Sequence, residues 1–216
     1  MIKKDLKKRV VTSIILLFVS ILMIKFNFIS IYILITLGTI SIIEFLQISN
    51  KIFKKYYFKY LFNFLFIIYI LFFCYLFFIF INYLQLKIIL FTLIFGCVAS
   101  DIGGFVIGKI FKGPKLTKIS PKKTYTGALG SIIFSSVTIS VSFYLFTNNF
   151  LYSFLIVSVL TSISCQIGDL FFSFLKRKAR LKDTGSLLPG HGGILDRIDG
   201  ILFGVPLGFV YLSLFN

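Results

Sequence analysis

The sequence predicts an all-α fold, a polytopic integral membrane helix bundle of about seven transmembrane helices (range 6–9), on three observations. The first is composition: 58% of the 216 residues are hydrophobic, 14% are charged and 29 are Phe. A soluble domain has roughly 45–50% apolar and about 25% charged residues. With a mean hydropathy of +0.99, the chain cannot cover its apolar groups with polar ones, so lipid must be its solvent. The second is the length of the apolar runs, close to the roughly 20 residues that cross about 30 Å of hydrocarbon. The third is the placement of the basic residues, which fall on alternate loops.

In chain order the runs are 10–26, 28–48, 60–82, 86–111, 126–146, 150–172 and 200–215. The first follows a basic start in the manner of a signal peptide, but no small-residue cleavage site comes after it, so a retained helix is expected. The 60–82 run could divide into two pieces, which widens the expected number of spans. Alternating the loops puts residues 1–9, 49–59, 108–124 and 173–199 on one side, with 21 of the 23 basic residues, and leaves Lys25 and Lys87 on the other. Lys and Arg accumulate in cytoplasmic loops. The basic side is therefore expected in the cytoplasm, in a cell inner membrane or cytoplasmic membrane, with the C-terminus outside. Most of the net charge of +16 follows from this topology, and no loop is long enough for a nucleic-acid reading domain. The expected division is 1–94, N-terminal transmembrane helices, and 95–216, a transmembrane region that carries the chemistry with loops 112–125 and 173–199. The three cysteines, Cys74, Cys97 and Cys165, lie in apolar runs without CxxC spacing and read as packing residues.

Acids are scarce: Asp5, Glu44, Asp101, Asp169, Asp183, Asp196 and Asp199 are all there are. Glu44, near the end of the second run, reads as an interfacial partner for a nearby lysine. Asp101 lies within an apolar run, where an aspartate costs about 2.5–3.5 kcal/mol on insertion scales and so faces a partner or a polar cavity. Gly103, Gly104 and Gly108 beside it allow another helix or a ligand to come close, and pairing with Lys109 is the plain structural alternative. Asp196 and Asp199, spaced i and i+3, share one helical face. Like charges that close repel unless a cation lies between them, and with Asp169 they read as hard-oxygen ligands for Mg²⁺. An acidic first turn that satisfies the helix dipole would account for one of them.

The chain has 19 lysines and four arginines, yet Arg177, Arg180 and Arg197 all fall in the last long loop. Where lysine is the default cation, clustered arginine points to bidentate phosphate binding, with Lys176, Lys178 and Lys182 adding charge. His191, the single histidine, has glycines on both sides and reads as a positioning or phosphate-contact residue. In the other loop, Lys115, Lys118, Lys122 and Lys123 lie near Ser120 and Thr124, a plausible phosphate cradle.

Residues 173–199, SFLKRKARLKDTGSLLPGHGGILDRID, resemble the signature of the phosphatidate cytidylyltransferase (CDP-diacylglycerol synthase) family. The positions that agree are Lys176, Arg177, Lys182, Asp183, Gly185, Pro189, His191, Gly192, Gly193, Asp196, Arg197 and Asp199. SDIGGFVIGK (100–109) and KISPKKTYTGALGS (118–131) are similar to further family motifs. Upstream, only the apolar pattern and the Glu44–Phe45 pair are similar. Phe172 departs from the family, many members of which carry glutamate there.

The resemblance implies that CTP and phosphatidate give CDP-diacylglycerol and pyrophosphate by in-line attack of the lipid phosphate on the α-phosphorus of CTP. It implies Mg²⁺ on Asp169, Asp196 and Asp199, with room for a second cation, and phosphate contacts from Lys176, Arg177 and Arg197. Lys122 and Lys123 would meet lipid phosphate or CTP. Asp183 would fix the loop through Lys182 or join the metal shell, and Asp101, buried on its helix, would line the cavity. The partners expected are CTP, phosphatidate and the lipid bilayer, with a homodimer left open and no nucleic acid. The alternatives are a CTP-dependent transferase acting on an isoprenoid phosphate or alcohol, and a transporter. The latter is disfavoured because the acids gather at one face and no paired halves are visible.

Overall fold

The computed structural model describes residues 18–148, 152–187 and 192–215, together with Val11 and Ile15. Its long helices are α1 (Asn27–Ile52), α2 (Tyr56–Asn82), α3 (Leu84–Phe111), α4 (Tyr125–Thr147), α5 (Tyr152–Lys178) and α6 (Leu195–Phe215). Residues 18–25 are helical as well and stop before Phe26; the rest of the first expected span, 10–26, lies largely outside the described residues. All six long helices have the length and composition to cross a membrane. An isolated antiparallel bridge joins Lys115 with Thr124. The multi-pass helical bundle expected from hydropathy is therefore the observed fold.

The helices run past the apolar runs. The 60–82 run is part of one unbroken helix, α2. The largest differences flank the last loop: α5 continues through Lys176, Arg177 and Lys178, and α6 begins at Leu195. Hydropathy marks only the part of a helix that lipid touches, whereas the helix continues while its ends are favourable. Three cations in the last turn of α5 suit the negative end of its dipole, and Asp196 in the first turn of α6 suits the positive end.

The chain packs as two units, Met1–Leu84 with Leu175–Ile198, and Gln85–Phe174 with Asp199–Asn216. In the first, Phe45 of α1 stacks on Phe66 of α2, with ring centroids 3.6 Å apart, and also touches Phe62. Phe53, just past α1, packs on Phe62 and lies 5.9 Å below the ammonium of Lys178. Aromatic packing thus fixes α1 on α2 and brings the end of α5 against them. In the second unit, small residues and hydroxyls do this work. Ser100 of α3 and Ser162 of α5 share a buried hydrogen bond of 2.9 Å, and Gln166 of α5 donates to the carbonyl of Ala128 in α4 at 3.3 Å. A Cβ at Gly103 would lie 2.5 Å from the carbonyl oxygen of Gly130. Only hydrogen there lets α3 and α4 meet backbone to backbone, the close approach that the glycines around Asp101 led us to expect.

Candidate functional site

The first unit holds the loop after α5. The helix ends on a left-handed Arg180 (φ 57), with Arg180 N–H donating to the Arg177 carbonyl at 3.0 Å and Leu181 N–H to the Lys176 carbonyl at 2.8 Å. This pair of reversed bonds closes a helix in the way that usually requires glycine, and a non-glycine residue costs about 1 kcal/mol there. Arg177 supports the turn through a 3.2 Å bond from Nη1 to the Leu181 carbonyl. The chain then comes back to α6 through Thr184 and Gly193.

Asp196, one residue into α6, is the acceptor around which this return is organised. Its Oδ1 takes the ammonium of Lys176 at 2.6 Å, and both side chains are largely buried, 6% exposed for Asp196 and 10% for Lys176. Its Oδ2 accepts the N–H of Thr184 at 2.8 Å and that of Gly193 at 3.0 Å, with the Thr184 hydroxyl 3.1 Å away. Gly192 holds a φ of +84 beside it, and a Cβ there would lie 2.9 Å from Asp196 Oδ2. Lys182 and Asp183 are exposed. Arg197 is exposed too, and its N–H caps the Ile194 carbonyl at 2.9 Å. His191 lies outside the described residues.

Glu44 belongs to the same unit and was misplaced by the sequence. It is 2% exposed and, among the described residues, has no lysine or arginine partner. Its Oε2 instead accepts the Thr184 hydroxyl at 2.6 Å and Leu195 N–H at 2.9 Å, while Oε1 accepts Ile194 N–H at 3.0 Å. The expected interfacial lysine pair is replaced by the open end of α6, where helix N–H groups have no intrahelical acceptor. Thr184 was likewise missed. The signal in the sequence was an isolated acid in an apolar run, which calls for a partner without saying which.

The second unit carries the other candidate cluster. Asp169 of α5 is ion-paired with Lys123 and accepts the Ser173 hydroxyl at 3.2 Å. Asp199 of α6 is 6% exposed, and its Oδ1 accepts the N–H of Gly200 at 2.9 Å. A Cβ at Gly168 would fall 2.6 Å from the Asp199 carbonyl oxygen, so α5 and α6 touch at backbone level where these aspartates are carried. Lys123 comes from the loop 112–124. This loop is closed by Leu116 N–H to the Lys123 carbonyl at 2.8 Å and by Tyr125 N–H to the Pro114 carbonyl at 3.1 Å. Thr124 caps α4 by accepting Gly127 N–H at 3.1 Å. Lys115, Thr117 and Lys118 line a recess of about 370 Å³ with Leu116 and Pro121, and Lys122 is exposed. Asp101, expected to be buried on its helix, is exposed on α3. Phe172, at the departure from the family pattern, is 1% exposed and packs edge-on against Phe171 and Phe203. It is a core residue.

The donor sets bear on a metal. Among the described residues no group of three or more His, Cys, Asp and Glu side chains is arranged to hold one. Asp196 has its oxygens occupied by a buried ammonium and backbone N–H groups, a poor fit to a ligand role. Asp169 keeps a partly exposed carboxylate, 29% exposed, whose cation partner is a lysine. Mg²⁺ takes only one or two carboxylates when phosphates and water complete its octahedron, so a group of three is not required of Asp169 and Asp199.

Fold and site together define a polytopic helical membrane protein whose clustered cations lie at helix ends and in two loops, with Asp169 and Asp196 each paired to a lysine. The chain belongs to the cytidylyltransferase family, whose model matches residues 1–215. It is 45% identical over 108 residues to the phosphatidate cytidylyltransferase of Helicobacter pylori (strain J99), covering 50% of this chain and 40% of that protein. It is 40% identical over 129 residues to the protein of that name from Rickettsia felis, covering 54% of this chain and 56% of the relative. To the chloroplastic phosphatidate cytidylyltransferase 4 of Arabidopsis thaliana it is 41% identical over 119 residues, 55% of this chain and 30% of the relative. The matched part thus spans between 30% and 56% of the length of these relatives.

Proposed function

We propose that this chain transfers a cytidylyl group from CTP to phosphatidate, giving CDP-diacylglycerol and pyrophosphate, at the cytoplasmic face of a cell inner or cytoplasmic membrane. The observation that carries this reading is the likeness to proteins of that name over half of the chain. The one-sided distribution of 21 of the 23 basic residues supports the cytoplasmic face. In the reaction a phosphate oxygen of the lipid bonds to the α-phosphorus of CTP, and the bond from that phosphorus to the β-bridging oxygen breaks. Both substrates are anions and the nucleophile is already ionised at neutral pH. The protein must therefore neutralise charge and align the reactants more than move protons.

In the second unit, Lys122 and Lys123 neutralise phosphate, Lys123 exchanging its carboxylate partner for a phosphate oxygen. Asp169 and Asp199 would hold Mg²⁺, which supplies charge neutralisation on the triphosphate when bound. In the first unit, Arg177, Lys182 and Arg197 present cations at the end of α5, in the following loop and at the start of α6. Lys176 and Asp196 set the shape of that loop.

The test uses purified protein, labelled CTP, Mg²⁺, and either phosphatidate or an isoprenoid phosphate in mixed micelles, with chromatography of the lipid product. The expected result is a labelled product with phosphatidate alone, lost on chelation of Mg²⁺. In Asp169→Asn its rate should drop at least tenfold and recover in part at high Mg²⁺. Label entering only the isoprenoid, or an undiminished rate after chelation, contradicts the proposal.

A further inference from the structure

We infer that Glu44 is a positioning residue for cytidylyl transfer: from α1 its carboxylate holds Thr184, Ile194 and Leu195, and so sets the placement of Lys182 and Arg197 toward CTP. This inference rests on the function proposed above. The carboxylate is buried, lies 140 to 151 residues away in sequence from the groups it accepts, and takes a hydroxyl and two backbone N–H groups from both ends of the loop. A buried carboxylate has about four acceptor sites to satisfy, and the three donors on Glu44 all belong to the loop or to the first turn of α6.

The loop is shaped around the carboxylate as well. A Cβ at Gly185 would have Glu44 Oε1, Cδ and Cγ as its three nearest atoms, at 2.6, 3.1 and 3.5 Å. One at Gly193 would meet the Thr184 hydroxyl oxygen first and then the two carboxylate oxygens at 2.5 and 2.7 Å. Glu44 thus fills the side-chain space at Gly185 and shares that at Gly193 with Thr184. The Thr184 hydroxyl has a single proton and lies nearer to Glu44 than to Asp196, at 2.6 against 3.1 Å. It therefore donates to Glu44, while Asp196 is served by the Thr184 N–H. The two carboxylates divide the donors of one loop between them.

Acceptor count is needed as well as shape. In Glu44→Gln the amide keeps one oxygen and turns an NH₂ toward either Ile194 N–H or the pair on Oε2, donor against donor. The shape survives and the clamp does not. The expected result is a CTP KM raised at least tenfold, with the protein still inserted and its melting temperature in detergent little changed. Trypsin cleavage after Arg180 and Lys182 should be faster by a similar factor. An unchanged KM, with or without faster cleavage, makes Glu44 a purely structural anchor and overturns the inference.

Should Glu44→Gln fail to fold, the glycine contact gives a second reading. Gly185→Ala crowds Glu44 and should lower kcat/KM for CTP at least tenfold. Glu44→Asp, one methylene shorter, should recover several-fold of that loss when combined with it, although it is harmful by itself. Losses that simply multiply contradict the inference. If the wild-type protein forms no product from CTP, the proposed function fails, whereas the cleavage rates still report whether Glu44 holds the loop.

Discussion

Loop 112–124 closes on itself, while the described part of loop 179–194 is held by side chains from elsewhere in the chain. In the first, backbone bonds pair Leu116 with Lys123 and Tyr125 with Pro114, and Thr124 caps the helix that follows. Its lysines are therefore left for other work: Lys122 is exposed and Lys123 reaches Asp169. In the second, once the turn at Arg180 is complete, the donors of Thr184, Gly193, Ile194 and Leu195 go to Asp196 and Glu44. A loop closed by its own backbone keeps its shape when one side chain is lost. A loop held by two carboxylates has two points of failure, and both lie far from it in sequence or across a helix end.

This contrast orders the substitutions. Asp196→Ala removes the carboxylate paired with the buried ammonium of Lys176 and the acceptor of the N–H groups of Thr184 and Gly193. Breaking a buried pair from one side costs about 3–5 kcal/mol, so thermal unfolding in detergent should show the largest loss of the set, with CTP-dependent activity abolished. Gly168→Ala comes next. Its methyl group would meet the Asp199 carbonyl at 2.6 Å, and overpacking of this kind costs roughly 1–3 kcal/mol, with activity falling as α5 and α6 separate. Thr124→Ala should have the smallest effect, since it removes a helix cap worth about 1 kcal/mol from a loop that its backbone bonds still close. A melting temperature that falls further for Thr124→Ala than for Asp196→Ala would break the contrast between the loops.

The fold was legible in the sequence because lipid imposes a simple demand. Long apolar runs joined by one-sided basic loops suit a multi-pass helix bundle and little else, and the observed helices follow the runs with their ends extended. The extension at Lys176–Lys178 was hidden because charged residues read as loop although they suit a helix C-terminus. The acids were found by their scarcity, and Asp196 and Asp199 do begin α6. Their separate duties were not legible. Spacing i and i+3 shows a shared helical face, not that Asp196 would be occupied by Lys176 and backbone N–H groups. Glu44 was harder still, because its main partners are backbone groups, which leave no residue type to match. The resemblance implied a buried Asp101, but an apolar run in lipid does not say which face of the helix is covered.

The most direct measurement of the proposed activity follows two labels of CTP in parallel, one at the α-phosphate and one at the γ-phosphate, with phosphatidate and Mg²⁺ present. Cytidylyl transfer predicts that the α-label enters the lipid and the γ-label leaves as pyrophosphate, in equal amounts. A γ-label found in the lipid, or CTP left intact by folded, membrane-inserted protein, would contradict it.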